Sequence, residues 1–180
     1  MDTVPVKDKR FRLSIPADEL QQAIRRVAAD ITRDHAGRRP LFLAVLNGSF
    51  MFAADLLRLD DLPCEIAFVK LSSYAGTNTT GAVRELIGLN QDIEGRDVIV
   101  VEDIVDTGIT MQHLLGQLQA KNPASIDVCT LLFKPEKLQT DVDIRYAALR
   151  IPNDFIVGYG LDYDGFGRNL PQIYTIINER

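Results

Sequence analysis

Short unbroken apolar runs alternate along this chain with stretches of helical period. Phe11 to Leu13 reads as a brief strand. Leu20, Ile24, Val27, Ala28 and Ile31 then recur at helical spacing. A helix is therefore expected from about Pro16, with Ser14 or Ile15 near its cap and Pro16 in the first turn, where a missing N–H costs little. Gly37 closes it. The run LFLAVL (41–46) has no polar position, as expected of a strand buried on both faces. Asn47-Gly48-Ser49 reads as a turn, and 50–59 as a helix with little polar face. Further strands are expected over Glu65–Ser72, Asp97–Val101, Ile126–Phe133 and Tyr146–Ile151, with short ones at Phe155–Tyr159 and Ile173–Ile177. A helix fits Gly108–Lys121, with Leu114, Leu115 and Leu118 inward. Between them, 74–81 (YAGTNTTG) is polar and aperiodic and reads as a mobile loop. Apolar strands alternating with helices predict an open, mostly parallel twisted α/β sheet flanked by helices. Ligands of such sheets bind at the carboxyl ends of the strands.

Composition narrows the class. The chain has 180 residues, 46% of them apolar and 25% charged, with a formal charge of −5. That length favours one domain with a core that needs no staples. The acidic balance argues against a general nucleic-acid binder. Two cysteines, Cys64 and Cys129, are too few for a disulfide scaffold and sit in apolar surroundings. They read as buried, reduced thiols. No apolar run approaches the ~18–20 residues of a membrane span, and the first residues lack a signal-peptide core. A cytoplasmic location and no membrane partner are expected. His35 and His113 read as surface histidines.

The strand-to-helix junction at 98–110, VIVVEDIVDTGIT, carries the most chemistry. Val98 to Val101 end in Glu102 and Asp103; Asp106, Thr107, Gly108 and Thr110 follow, and then the helix. Asp106-Thr107-Gly108 at a helix N-terminus presents several backbone N–H donors and hydroxyls, a cradle for a phosphate monoester. Glu102 and Asp103 repel phosphate but accept hydrogen bonds from vicinal hydroxyls or hold a hard divalent cation. Phosphate on one side and diol on the other describe a sugar phosphate. Two features stand against this. The same pattern also ends an ordinary strand and caps an ordinary helix. Adjacent carboxylates on a continuing strand point to opposite faces, so at most one would line a given face.

The run VVEDIVDTGIT closely resembles the phosphoribosyl-pyrophosphate motif of the type I phosphoribosyltransferases. Other segments resemble one branch of that family, the hypoxanthine-guanine phosphoribosyltransferases. LNGSFMFAADL (46–56) looks like its pyrophosphate loop and following helix, SSY (72–74) with the later T-G like its lid, and LLFK (131–134) with 154–171 like its base-binding and closing segments. The resemblance implies a core over about 15–150 and a small hood formed by the chain ends, about 1–14 and 151–180.

It also implies roles for individual residues. Glu102 and Asp103 would contact the ribose hydroxyls and Mg²⁺. Asp106 would lie near purine N7 as general base. Asp106, Thr107, Gly108, Ile109 and Thr110 would hold the 5′-phosphate. Leu46, Asn47, Gly48 and Arg168 would bind pyrophosphate, with a cis Leu46–Asn47 peptide. Ser73 and Tyr74 would close over the reacting centre. Lys134 would point at the purine 6-oxo group, Phe155 would stack on the base, Ile156 would offer its backbone to the base edge, and Asp162 would hold a second Mg²⁺ through water. From the pattern alone, Phe155 is core, Lys134 a solvated lysine, and Asp162 and Arg168 surface charges. Asn47 stands where many relatives carry lysine, and Ile109 where some do.

The implied activity is purine salvage: Mg²⁺-dependent transfer of ribose 5-phosphate from phosphoribosyl pyrophosphate to N9 of hypoxanthine or guanine, giving IMP or GMP and pyrophosphate. A non-catalytic nucleotide sensor on the same fold is the alternative. The sparse polar face of 50–59 and the family's habit both point to a homodimer or homotetramer.

Overall fold

A computed structural model describes residues 3–73 and 84–177. The described elements are β1 (Thr3–Val6), β2 (Lys9–Ile15), α1 (Ala17–Asp34), β3 (Leu41–Val45), α2 (Phe50–Leu59), β4 (Glu65–Ser73), β5 (Arg84–Ile87), β6 (Asp97–Val105), α3 (Ile109–Gln119), β7 (Ser125–Phe133), a 3-10 turn (Pro135–Lys137), β8 (Tyr146–Arg150), β9 (Ile156–Val157) and β10 (Ile173–Ile176). The loop expected at 74–81 lies outside the described residues, Tyr74 among them.

The central sheet has the order β5-β4-β3-β6-β7-β8. All its pairings are parallel except the edge pair β4–β5. The apolar run 41–46 predicts this position: every residue of β3 is buried, because the strand lies mid-sheet with both faces covered. Phe42, Ala44, Ile99 and Val101 pack with α1 and α2 on one face. Leu41, Leu43, Val98 and Val100 pack with Ile93 and the α3 residues Met111, Leu114 and Leu118 on the other. From β3 the chain passes outward to β4, then returns to β6 on the other side of β3. The carboxyl ends of β3 and β6 therefore flank a topological switch point, where open α/β sheets bind ligands.

A second, antiparallel sheet, β1-β2-β10-β9, joins the two ends of the chain. It is the expected hood, and it reaches further into the chain than expected: β2 covers Lys9–Ile15 rather than Phe11–Leu13. β2 buries Phe11 and Ile15 while exposing Arg10, Arg12 and Ser14, a period-2 pattern that the short reading cut off. Two strands have no counterpart in the reading. β1 is four residues interrupted by Pro5, tolerable only at an edge, and β5 exists through its pairing with β4. The strand expected at Phe155–Tyr159 shrinks to Ile156–Val157, because the chain enters left-handed turns at Gly158, Tyr159 and Gly160.

Helix α2 has the expected bounds, and α1 starts one residue later than expected, with Pro16 as its cap. No side chain of α1 caps it; Gln172 of the hood accepts from the Ala17 N–H at 3.3 Å instead. His113 is exposed as expected. His35 is not a surface residue: it is fully buried, with Nε2 3.0 Å from Asp127, which Arg145 also pairs with. That partner comes from a strand distant in sequence, so helical position alone could not reveal it. Cys129 is buried and Cys64 half-buried; both are free. No described helix is long and apolar enough to cross a membrane.

Candidate active site

β6 does not stop at Val101. It continues through Glu102 and Asp103 to Val105. Even so, both carboxylates line one cleft, contrary to the expectation for a regular strand. Two local features explain this. The Glu102 side chain turns back along the chain, so that Oε1 accepts from the Asp103 N–H at 3.0 Å. The face alternation also slips near the strand end: Ile104 joins the core that holds Ile99 and Val101, and Val105 joins the one that holds Val98 and Val100. Burial pushes the Glu102 carboxyl well above the usual carboxylate range, and the neighbouring Asp103 charge adds to this. Asp103 is half-buried, and its Oδ1 accepts from the Ile104 N–H at 2.8 Å.

The cleft is lined by Glu102 to Gly108, Thr110 and Met111, and its volume is about 160 Å³. Gly108 caps α3 with φ +81°. A Cβ there would stand 2.2 Å from Thr140 Oγ1, so glycine meets both the backbone and the space requirement. The helix start thus opens onto the cleft with its N–H groups, as an anion cradle needs. Ile109, the fourth residue of the cradle, points to solvent, 43% exposed.

A second loop meets the first from β3. The Leu46–Asn47 peptide is cis. Gly48 is buried so tightly that a Cβ would lie 1.6 Å from Asp103 Oδ2. The hood touches the same point: a Cβ on Gly160 would lie 2.0 Å from the Gly48 carbonyl oxygen. Arg168 ties this turn together, donating to the Gly160 carbonyl at 2.6 Å and pairing with Asp162 at 2.8 Å. Asp162 also accepts from the Gly165 N–H at 2.7 Å. It is therefore engaged within the hood. Among the described residues no group of three or more His, Cys, Asp or Glu side chains is close enough to hold a metal, so Glu102, Asp103 and Asp162 form no common cluster.

The base-side residues also differ from their bland readings. Lys134 is only 6% exposed rather than solvated. Its Nζ donates to the Asp154 carbonyl at 2.7 Å and lies 3.8 Å from Asp106 Oδ2. Burial lowers its pKa, and the Asp106 charge opposes that shift. Phe155 is not core: it is 47% exposed, edge-on to Tyr163 and within 6.3 Å of the Phe11 ring centroid. Ile156 is buried in β9. Ser73 ends β4, pairing with Arg84. The sequence reading missed Lys137, whose Nζ lies 2.8 Å from Asp106 Oδ2, and Met111 in the cleft wall. A lone lysine in a short turn carries no sequence signal.

A parallel sheet whose switch point brings together an acidic strand end, a glycine-opened helix start and a tight glycine loop is the architecture of the type I phosphoribosyltransferases. Residues 16–164 match the model of the phosphoribosyl transferase domain family. The chain is 41% identical over 169 residues to the hypoxanthine-guanine phosphoribosyltransferase of Mycobacterium tuberculosis, covering 90% of this chain and 84% of that protein. It is 41% identical over 174 residues to the hypoxanthine-guanine-xanthine phosphoribosyltransferase of Tritrichomonas foetus, covering 96% and 95%. A crystal structure of a hypoxanthine-guanine phosphoribosyltransferase from Bacillus anthracis superposes with a TM-score of 0.86 at 38% identity, over 92% of this chain and 98% of the other. The chain belongs to the phosphoribosyltransferase family, in its hypoxanthine-guanine branch.

Proposed function

We propose that the protein is a purine-salvage enzyme that transfers ribose 5-phosphate from phosphoribosyl pyrophosphate to N9 of hypoxanthine or guanine, yielding IMP or GMP and pyrophosphate. One observation supports this reading above the others: buried Lys134 stands 3.8 Å from Asp106, which lines the same cleft as the cradle at Gly108. A fixed cation there rewards a 6-oxo group. A 6-amino group would leave it unpaired, which disfavours adenine.

Each segment has a task in this reading. The N–H groups and hydroxyls of Asp106–Thr110 hold the 5′-phosphate, and Glu102 and Asp103 take the ribose hydroxyls. The Leu46–Gly48 loop and Arg168 receive pyrophosphate. Phe155 stacks on the purine, and the Ile156 backbone meets the base edge. As the C1′–O bond to pyrophosphate lengthens, C1′ takes oxocarbenium character. Asp106 accepts the N7 proton while N9 attacks. Ser73 and Tyr74 exclude water, which would capture C1′.

The donor set suits Mg²⁺. Glu102 and Asp103 are hard oxygen ligands, and a cation would offset the burial and the neighbouring Asp103 charge that together raise the Glu102 pKa. Mg²⁺ takes only one or two carboxylates when a substrate phosphate completes its shell, so a three-carboxylate cage is not required. When bound, the ion would neutralise charge on the leaving pyrophosphate. Asp162 would take its second-ion role on leaving Arg168 free for pyrophosphate.

The reading places the enzyme in the cytoplasm, as a homodimer or homotetramer. Phe50 on α2 and Ile66 and Phe68 on β4 are exposed apolar side chains that a second copy would cover. The deciding assay is nucleotide formation followed by ultraviolet absorbance, with Mg²⁺, phosphoribosyl pyrophosphate and each base in turn. Turnover with hypoxanthine and guanine and none with adenine is the expected result; no nucleotide from any base would leave a binding protein instead.

A further inference from the structure

The segment that follows β7 is laced onto the cradle at several points. Lys134 N donates to Val105 O at 3.0 Å, and Gln139 N donates to Thr107 O at 2.9 Å. The bare Cα of Gly108 faces Thr140 and Leu138. Between these ties, the 3-10 turn presents Lys137, partly exposed, with its Nζ 2.8 Å from Asp106 Oδ2. Lys134 does not serve the same purpose, being 3.8 Å from that oxygen and committed to the Asp154 carbonyl at 2.7 Å.

The two oxygens of Asp106 are thus unequal. Oδ2 is engaged by a cation, whereas Oδ1 is buried with no hydrogen-bond partner. A buried acceptor left unpaired costs about 1–3 kcal/mol, so some other contact must hold the carboxylate in that orientation. The Lys137 ion pair is that contact, and the backbone ties fix the turn that carries it.

We infer that Lys137 is a positioning residue for phosphoribosyl transfer: by pairing with Oδ2 it fixes the orientation of the Asp106 carboxylate that receives the purine proton. This rests on the reading of Asp106 as the base. The step balances within the reaction already described. The N7–H bond breaks and its proton goes to the Asp106 carboxylate, the electron pair stays in the imidazole ring, N9 bonds to C1′, and pyrophosphate leaves with the C1′–O pair.

The test is steady-state kinetics of Lys137→Met, Lys137→Arg, Asp106→Asn and the Asp106→Asn/Lys137→Met double variant, with thermal unfolding of each. Loss of orientation forfeits part of the ~10²–10⁴-fold that general-base catalysis supplies. Lys137→Met should therefore lower kcat about tenfold, with the KM for phosphoribosyl pyrophosphate changed less than about twofold. Lys137→Arg should restore kcat to within about threefold, since a guanidinium can hold the same oxygen. In the Asp106→Asn background, Lys137→Met should cost nothing further. Wild-type kcat in Lys137→Met beside a crippled Asp106→Asn would overturn this role and leave the base reading standing. So would a multiplied loss in the double variant, or a loss in Lys137→Met that merely tracks unfolding and that Arg does not rescue. Full turnover in Asp106→Asn would overturn the base reading itself, and this role with it.

Discussion

Asp103 Oδ2 lies 1.6 Å from the point where a Cβ on Gly48 would stand. A carboxylate from the end of β6 and a loop from the end of β3 thus occupy one space, and a methyl group between them must displace one or the other. Glycine is required at this position by close approach, which is independent of any turn preference.

Gly48→Ala should therefore lower kcat/KM for phosphoribosyl pyrophosphate by roughly 100-fold, the order of loss that follows a misplacement of about 1 Å at a reacting centre. Circular dichroism should still show a folded chain, because the clash is confined to one loop and the Asp103 side chain at the end of β6. Kinetics within a few-fold of wild type would mean that the loop and Asp103 do not act on the same substrate.

Asp106→Asn keeps shape but removes the proton acceptor. Turnover should fall by ~10²–10³-fold, within the usual range for a general base. The dissociation constant of phosphoribosyl pyrophosphate, read by titration calorimetry, should change far less. An equal loss in binding and turnover would make Asp106 a binding residue only.

Lys134→Ala should abolish the preference for 6-oxopurines over adenine or raise the purine KM by at least about tenfold, in line with the ~1.5–3 kcal/mol of a charged hydrogen bond. Unchanged kinetics for all three bases would remove Lys134 from the base site.

The hood is held to α2 by a half-buried cluster in which Tyr159 and Gln21 donate to Asp55, and exposed Arg58 pairs with it. Desolvation raises the Asp55 pKa, but these three partners outweigh it and the net shift is downward from 3.8. A carboxylate with a depressed folded pKa contributes stability that is present above its unfolded pKa and is lost as pH falls through the folded value. Asp55→Asn should therefore lower unfolding free energy by about 1–3 kcal/mol at pH 7. The gap to wild type should begin to narrow as pH falls below 3.8 and close only below the depressed folded value, where both chains carry an uncharged group. A gap independent of pH would show that shape, rather than charge, matters at Asp55.

Much of the sheet was legible in the chain itself. LFLAVL and the apolar runs before Glu102 and Phe133 mark buried parallel strands, because a strand covered on both faces admits no polar alternation. α2 was legible to the residue. The order strand, two acids, Asp-Thr-Gly places a cradle at a helix start, and the helix does start at Ile109 with Gly108 as its cap. These are local features, set by period and by backbone chemistry.

What tertiary structure alone decided was which distant residues share a space. A regular strand would set Glu102 and Asp103 on opposite faces, and a local slip in β6 brings both to one cleft. His35 reads as a surface residue until Asp127 of β7 arrives beside it. Phe155 reads as core until the hood turns it outward. Lys137 carries no signal until the 3-10 turn sets it on Asp106. In each case the partner lies far along the chain or depends on a turn that local propensity does not specify. Burial and pairing belong to the assembled sheet and hood, and a pattern of a few residues cannot encode them.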